Sequence, residues 1–221
     1  YYLPFFAFKD GIRNKIINNE ITDEIIFNEI KNLIKPNSIV LDLGANFGQM
    51  SILWSKCKPN VKVYAFEASK YVYKILKKNV EINSANVEPI NVLVGNDSNN
   101  EQLIEKSQLR NYSTYGTEII EKISKKDSKS SEKIKAIKID DINFNQEISA
   151  MKIDVQGYDL DALKGSEKTI LKHKMPIIFE YEEKFADKLN YTFKDFENFI
   201  TKINYKIKTK IDDINYLIIP K

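Results

Sequence analysis

The feature that most limits what this chain can fold into is a glycine turn, Asp42-Leu43-Gly44-Ala45-Asn46-Phe47-Gly48, set between two apolar stretches of different period. Ser38 to Leu43 reads as a buried strand, and Gln49 to about Lys58 reads as a helix. Glycines four residues apart let the backbone turn sharply and let a ligand approach the main chain. The turn lacks the remaining glycine of the G-x-G-x-x-G fingerprint, because positions 46, 47 and 49 are Asn, Phe and Gln. A nicotinamide dinucleotide site is therefore disfavoured, and with no Gly-Lys-Ser/Thr to close the turn a P-loop is excluded.

The rest of the chain continues the alternation. Residues 1–35 form an aromatic entry segment and a helix with an apolar stripe at Ile25, Ile26, Ile30, Leu33 and Ile34, capped by Thr22 or Asp23 and stopped at Pro36. The main domain is expected to span 36–221. Strands are expected at 61–67, 87–94, 149–155 and 177–181, with a short one at 134–139. Helices are expected at 69–82 and 193–203, and one more carries Leu160, Leu163, Ile170 and Leu171. Ser124 to Lys133 contains no apolar residue and reads as a surface loop. The end, 205–210 and 214–219 around Asp212-Asp213, reads as an antiparallel hairpin. Strands alternating with helices argue for an α/β fold with one doubly wound, mostly parallel sheet. Ligands of such sheets lie beyond the carboxyl ends of the strands, where the chain order reverses.

Composition narrows the chemistry. The 221 residues suit one α/β domain. Thirty-four basic against 31 acidic side chains leave +3, too mild a balance to argue for a nucleic-acid partner. The lone cysteine, Cys57, can form neither an internal disulfide nor a thiolate zinc site, and the lone histidine, His173, rules out multi-histidine metal centres. His173 precedes Pro176 and the strand at 177–181, so it belongs at the amino edge of the sheet, away from a ligand crevice. No apolar run approaches the ~18 residues of a membrane span, and no secretory leader is visible at the start, so a cytoplasmic location is expected.

Two further clusters carry chemistry. Glu67 ends the second strand nineteen residues after Gly48. A carboxylate there lies beside the glycine turn and can accept hydrogen bonds from vicinal ribose hydroxyls. The pair suits an adenosine-type ligand with no provision for phosphate, and S-adenosylmethionine fits that description. In Lys152-Ile153-Asp154-Val155-Gln156-Gly157-Tyr158-Asp159, strand alternation puts Lys152 and Asp154 on one side, with Asp154 at the carboxyl end. Charges in an apolar central strand are costly unless paired or functional.

These residues carry a family resemblance. Asp42-x-Gly44-Ala45-Asn46-x-Gly48, Phe66-Glu67-Ala68, Leu76-Lys77-x-Asn79-x-x-x-Asn83 and Lys152-Ile153-Asp154-Val155-Gln156-Gly157-x-Asp159-x-x-x-Leu163-Lys164-Gly165 resemble the FkbM family of class I S-adenosylmethionine-dependent methyltransferases. The resemblance runs from about residue 2 to residue 183. It implies a Rossmann-like seven-stranded methyltransferase fold whose last strand is antiparallel, and O-methylation of a sugar hydroxyl, as in polysaccharide, capsule or lipopolysaccharide biosynthesis, or of a small natural product. The chain departs from the pattern at Ala68, where the family has Pro, and at Asp159, where it has Glu; the variable acid-or-Gln position holds Gln156.

The residues expected to hold the donor are Asp42, Gly44, Asn46, Gly48, Glu67, Ala68 and Asp154, with Asn96 and Asp97 on the adenine. Asp154 is expected to act as the base or the acceptor-orienting group, tuned by Lys152. Glu180, at the end of the following strand, and Tyr112 and Tyr115 are candidates for contact with a small-molecule or glycan acceptor. A metal-dependent alternative gives Asp154 and Glu180 to Mg²⁺; the main reading assigns no metal. Residues 1–20, 98–135 and 182–192 are the loops expected to shape the acceptor pocket. Two other functions stay open at this point: an inactive scaffold that binds the cofactor without turnover, and a NAD(P)-dependent oxidoreductase. The Pro-Pro-aromatic and Pro-Cys motifs of DNA methyltransferases are absent after the central strand.

Overall fold

A computed structural model describes residues 1–4, 10–98, 101–105 and 131–221. The sheet at its centre has seven strands: β1 (Ile39–Leu43), β2 (Lys62–Phe66), β3 (Val87–Ile90), β7 (Ile148–Ile153), β8 (Ile177–Glu180), β9 (Tyr205–Lys210) and β10 (Asn215–Pro220). Their spatial order is β3-β2-β1-β7-β8-β10-β9. Pairing is parallel from β3 through β8, and β10 runs antiparallel to both β8 and β9. The chain leaves β1 outward to β2 and β3 and then returns to lay β7 on the other side of β1. The reversal point, where a crevice must open, therefore lies between β1 and β7.

Strand alternation assigns each face. Leu41, Leu43, Met151, Ile153, Ile177, Phe179 and Ile218 point to a core shared with helices α5 (Asp159–Lys164), α6 (Glu167–His173) and α8 (Phe193–Lys202). Val40, Val63, Ala150, Ile178 and Leu217 point the other way, onto α2 (Glu24–Leu33) and Trp54 at the end of α3 (Gln49–Trp54). Asp42, Lys152 and Glu180 continue this second series, so the charged side chains leave the sheet on the α2 face. Helix α2 is fastened there by Ile26, Phe27 and Ile30, and the fully buried Trp54 stacks on Phe27 while its indole N–H donates to the Phe27 carbonyl at 3.1 Å. Helices α1 (Gly11–Ile17) and α4 (Lys70–Ile82) meet over Phe47 of the glycine turn through Ile16, Val72 and Ile75.

Several expected elements come out differently. The single strand at 87–94 is two, β3 and β4 (Leu93–Val94), in different sheets. Asn91 separates them: its side-chain amide donates to the carbonyls of Glu67 at 2.8 Å and Ala68 at 3.0 Å, which diverts the chain from the main sheet. Residues 131–133 belong to a strand rather than a loop, since β6 (Ser131–Ile137) pairs with β4 and with β5 (Glu101–Glu105) in a three-stranded sheet. The helix expected through Leu160 to Leu171 breaks into α5 and α6 at Gly165, where a Cβ would lie 1.9 Å from the Gly95 carbonyl oxygen. Part of the expected acceptor loop at 182–192 is helix α7 (Glu183–Leu189). Asp23 takes the N-cap position of α2 but gives it no side-chain hydrogen bond.

Candidate active site

The carboxyl ends of β1, β2 and β7 frame a crevice that opens to solvent. Asp42, Gly44, Asn46, Gly48, Glu67, Lys152 and Asp154 all line it, together with Gln156. Gly44 and Gly48 have φ of +82° and +84°, conformations that favour glycine. A Cβ on Gly44 would stand 1.8 Å from the Asp154 carbonyl oxygen, so only a glycine lets the turn close against the end of β7. Both amides at the start of the turn, Gly44 and Ala45, donate to the Phe66 carbonyl, which pins the turn to the end of β2. Asn46 holds φ +50° and accepts the Phe47 amide on its side chain at 2.7 Å.

Glu67, only 7% exposed, is oriented by two backbone amides. Its Oε2 accepts from Asn46 at 3.0 Å and its Oε1 from Ser69 at 2.8 Å. The glycine turn and the acid at the end of β2 are thus joined directly. Two amides on different oxygens fix the plane of the carboxylate.

Lys152 is the pivot of the opposite wall. Its ammonium lies 3.1 Å from Asp154 Oδ2 and 3.6 Å from Asp42 Oδ1, and donates to the Gly44 carbonyl at 3.2 Å. Burial opposes the charged form, but Asp154 and Asp42 outweigh it, and the lysine pKa rises. Burial pushes the Asp42 carboxyl up despite Lys152 and a hydrogen bond from Ser51. For Asp154 burial is overcome: Lys152, with hydrogen bonds from Glu180 and Gln156, holds it below the usual carboxylate range. Glu180 is pushed up to about 10 by burial and by the Asp154 and Asp159 carboxylates. Glu180 therefore keeps its proton at neutral pH and turns it toward an ionised Asp154.

Asp159 is a participant that the sequence showed only as a departure from a pattern. It is 1% exposed and accepts from the Gly157 amide at 3.2 Å and the Glu180 amide at 3.4 Å, tying the turn after β7 to the end of β8. Burial, then Asp154, pushes its carboxyl up to about 7 against those two hydrogen bonds. Ile12, Thr22, Asp23 and Gln49 also line the crevice and were not singled out as site residues. Gln49 follows the glycine turn directly, but Ile12, Thr22 and Asp23 depend on a segment returning from outside the sheet, which spacing along the chain does not reveal.

Other expected residues lie elsewhere. Asn96 and Asp97 line a second crevice with Leu93, Tyr158 and Asp161. Ala68 packs against the cluster of Leu93, Ile134 and Tyr158 beside it. Glu180 reaches the first crevice through Asp154. His173 sits at the amino edge, where its Nδ1 accepts the Ile148 amide at 3.3 Å. Tyr112 and Tyr115 lie outside the described residues. Asp154 and Glu180 do stand together, but the oxygens of Asp154 are engaged by Lys152 and by Gln156 Nε2 at 3.0 Å. Among the described residues no group of three or more His, Cys, Asp or Glu side chains is disposed to hold a metal ion. No helix among them is long and apolar enough to cross a membrane.

Comparison with known proteins bears on the same residues. Residues 42–207 match the family model of the methyltransferase FkbM domain. No curated protein matches the sequence. Among solved structures, the chain is similar to a methyltransferase FkbM from Methylobacillus flagellatus, with 19% identity over 84% of this chain and a TM-score of 0.53. It covers 44% of that protein, less than half its length. It is also similar to a TehB-like SAM-dependent methyltransferase from Corynebacterium glutamicum, with 9% identity over 95% and 93% of the two chains and a TM-score of 0.55. A SAM-dependent methyltransferase from Aquifex aeolicus aligns over 99% and 97% of the two chains at 13% identity, with a TM-score of 0.51.

Proposed function

The chain belongs to the FkbM methyltransferase family, and from that premise we propose that it moves a methyl group from S-adenosylmethionine to a hydroxyl oxygen of a sugar or small natural product. The observation that carries the reading is Glu67, held by the amides of Asn46 and Ser69 with its carboxylate in the crevice beside Gly44 and Gly48. That arrangement suits a ribose diol lying across a close-approach turn. The wall residues fit the rest of the donor: among the described residues the crevice carries the carboxylates of Asp23, Asp42, Glu67 and Asp154 against the ammonium of Lys152, an environment that favours a cationic ligand.

When bound, the donor supplies a methyl group already activated by a sulfonium. The task left to the protein is alignment and removal of one proton. Asp154 is ionised, stands at the end of β7 facing the crevice, and accepts a hydrogen bond from the acceptor hydroxyl. Its depressed pKa makes it a weak base in the ground state. The hydroxyl proton becomes strongly acidic only as the new O–C bond forms, so a weak but well-placed carboxylate suffices. Lys152 keeps Asp154 charged, and neutral Glu180 fixes its plane.

The test is transfer of a labelled methyl group from S-adenosylmethionine to sugar nucleotides, glycans and small alcohols. Labelled product with an ether linkage supports the reading. Label on nitrogen or carbon acceptors alone contradicts it. Asp154→Asn should lower kcat by about a hundredfold or more, in the range of a lost general base, and wild-type turnover in that variant would remove Asp154 from the reaction.

A further inference from the structure

Gln156 stands apart in the backbone of this chain. Among the described residues ten other than glycine hold a positive φ, and seven of them are Asn or Asp, whose short polar side chains tolerate that region. Ser84 and Lys174 close helices α4 and α6, where a left-handed residue is an ordinary ending. Gln156 closes no helix. It lies between β7 and α5 at φ +51°. A long side chain persists in that conformation only where its surroundings impose it, and such places cluster at working sites.

The surroundings do impose it. The next residue, Gly157 at φ +94°, donates its amide to Asp159 at 3.2 Å and accepts the Tyr191 hydroxyl on its carbonyl at 2.6 Å. A Cβ on Gly157 would stand 2.8 Å from that of Phe185, so the turn is closed on this side as well. What the turn achieves is the direction of one side chain. Gln156 runs back along the end of β7, lines the crevice, and donates from Nε2 to Asp154 Oδ1 at 3.0 Å. Lys152 takes the other oxygen, Oδ2, at 3.1 Å. The two contacts differ in kind: an ammonium is a point charge with rotating donors, whereas an amide is planar and its N–H is directional. Asp42, Asp159 and Glu180 also bear on Asp154 from β1, α5 and β8. Glu180 reaches it from the neighbouring strand, whereas Gln156 reaches it from the crevice itself.

We infer that Gln156 is a positioning residue for methyl transfer: by holding Asp154 Oδ1 from the crevice side, its amide turns the carboxylate to the angle at which it meets the acceptor hydroxyl. The inference rests on the reading of Asp154 as the group that takes the hydroxyl proton, and deepens it. It also accounts for the backbone. Gly or Asn would adopt the conformation at 156 more easily, but neither carries an amide at the length that spans to Asp154.

Two measurements on the full chain test this. The first needs no acceptor. In NMR spectra of the unliganded chain the Gln156 side-chain amide, identified by its loss in Gln156→Met, should shift in Asp154→Asn; a signal indifferent to that change overturns the inference. The second is turnover with the hydroxyl acceptor that the labelled-methyl assay yields. Gln156→Met keeps the length without the amide, and Gln156→Asn suits the backbone but draws the amide back by one methylene. Each should lower kcat about tenfold, the effect of one hydrogen bond to a charged group, with little change in the KM for S-adenosylmethionine. Gln156→Asn should melt above Gln156→Met and still lose as much activity, which separates backbone strain from positioning. In an Asp154→Asn background Gln156→Met should cause no further loss, because it acts through Asp154. Wild-type kcat in either single variant, or a loss that adds in full to that of Asp154→Asn, overturns the positioning role while the methyl-transfer reading stands. A wild-type chain that transfers no label to any hydroxyl fails that reading itself, and the inference with it.

Discussion

At the scale of single residues, Lys152 decides the electrostatics of the site. It stands between Asp154 and Asp42, one on each side, and is 5% exposed. Removing one partner of such a pair leaves charge stranded in a poorly solvated place, which costs about 3–5 kcal/mol. Lys152→Met should therefore lower unfolding free energy by an amount of that order in urea titrations, although Met fills similar space. An unchanged midpoint would show that the carboxylates are solvated enough to do without it. Glu180 and Asp159 govern pH dependence. Their folded pKa values, about 10 and about 7, lie above their values of 4.5 and 3.8 in the unfolded chain. The unfolded chain releases these protons at lower pH than the native state does. Stability is therefore greatest below about pH 4 as far as these two groups are concerned, and declines as pH rises through about 7 and toward 10. Asp154 acts oppositely, but its contribution is lost only as pH falls below the ordinary carboxylate range. Melting temperatures measured from pH 5 to pH 9 should fall, and Glu180→Gln should flatten that fall; an equally steep decline in the variant would contradict the shared proton.

At the scale of elements, close backbone approaches define the joints. Gly165 ends α5 against β4, where a Cβ would meet the Gly95 carbonyl oxygen at 1.9 Å; a Cβ on Gly95 itself would meet nothing within 4 Å. Gly165→Ala should destabilise the fold by at least about 1–3 kcal/mol, the range for overpacked sites, and Gly95→Ala by much less. Equal thermal shifts for the two would show that the α5–β4 contact is looser than this. Such joints also explain what could be read from the chain. The glycine turn, Glu67 and the Lys152–Asp154 pair were legible because each depends on local order: a strand, its period, its carboxyl end. The seven-stranded sheet and its antiparallel hairpin followed from the alternation of elements and from the family resemblance. What escaped depended on contacts far apart in the chain. Asn91 splits an apparently continuous strand by bonding to Glu67 and Ala68, and Gly165 splits a continuous apolar stripe because of Gly95. Thr22 and Asp23 read as caps because capping is their usual use, and the return of their segment to the crevice is set by Gln49.

For the whole molecule, the two faces of the sheet divide the work. One face is filled by Leu, Ile and Phe against α5, α6 and α8, and carries the largest cluster of buried apolar side chains. The other carries α2 and, toward the carboxyl ends of the strands, the charged series Asp42, Lys152 and Glu180. The crevice that results is acidic, although the chain as a whole has a formal charge of +3. A ligand bearing the extra positive charge of a sulfonium should feel that local field and not the net charge. Affinity for S-adenosylmethionine should therefore fall more steeply with added salt than affinity for S-adenosylhomocysteine, which lacks the sulfonium. Parallel salt dependences would mean that the carboxylates are neutralised within the crevice.

In the function proposed, the carboxylate ending β2 and the turn that follows β1 together hold an adenosyl donor. A crystal structure of the chain with S-adenosylhomocysteine tests it most directly. The ribose hydroxyls should lie within hydrogen-bond distance of Glu67, with the sulfur end passing Gly44 toward Asp154. Density for the nucleoside elsewhere, with no ligand atom within hydrogen-bond distance of Glu67, would overturn it.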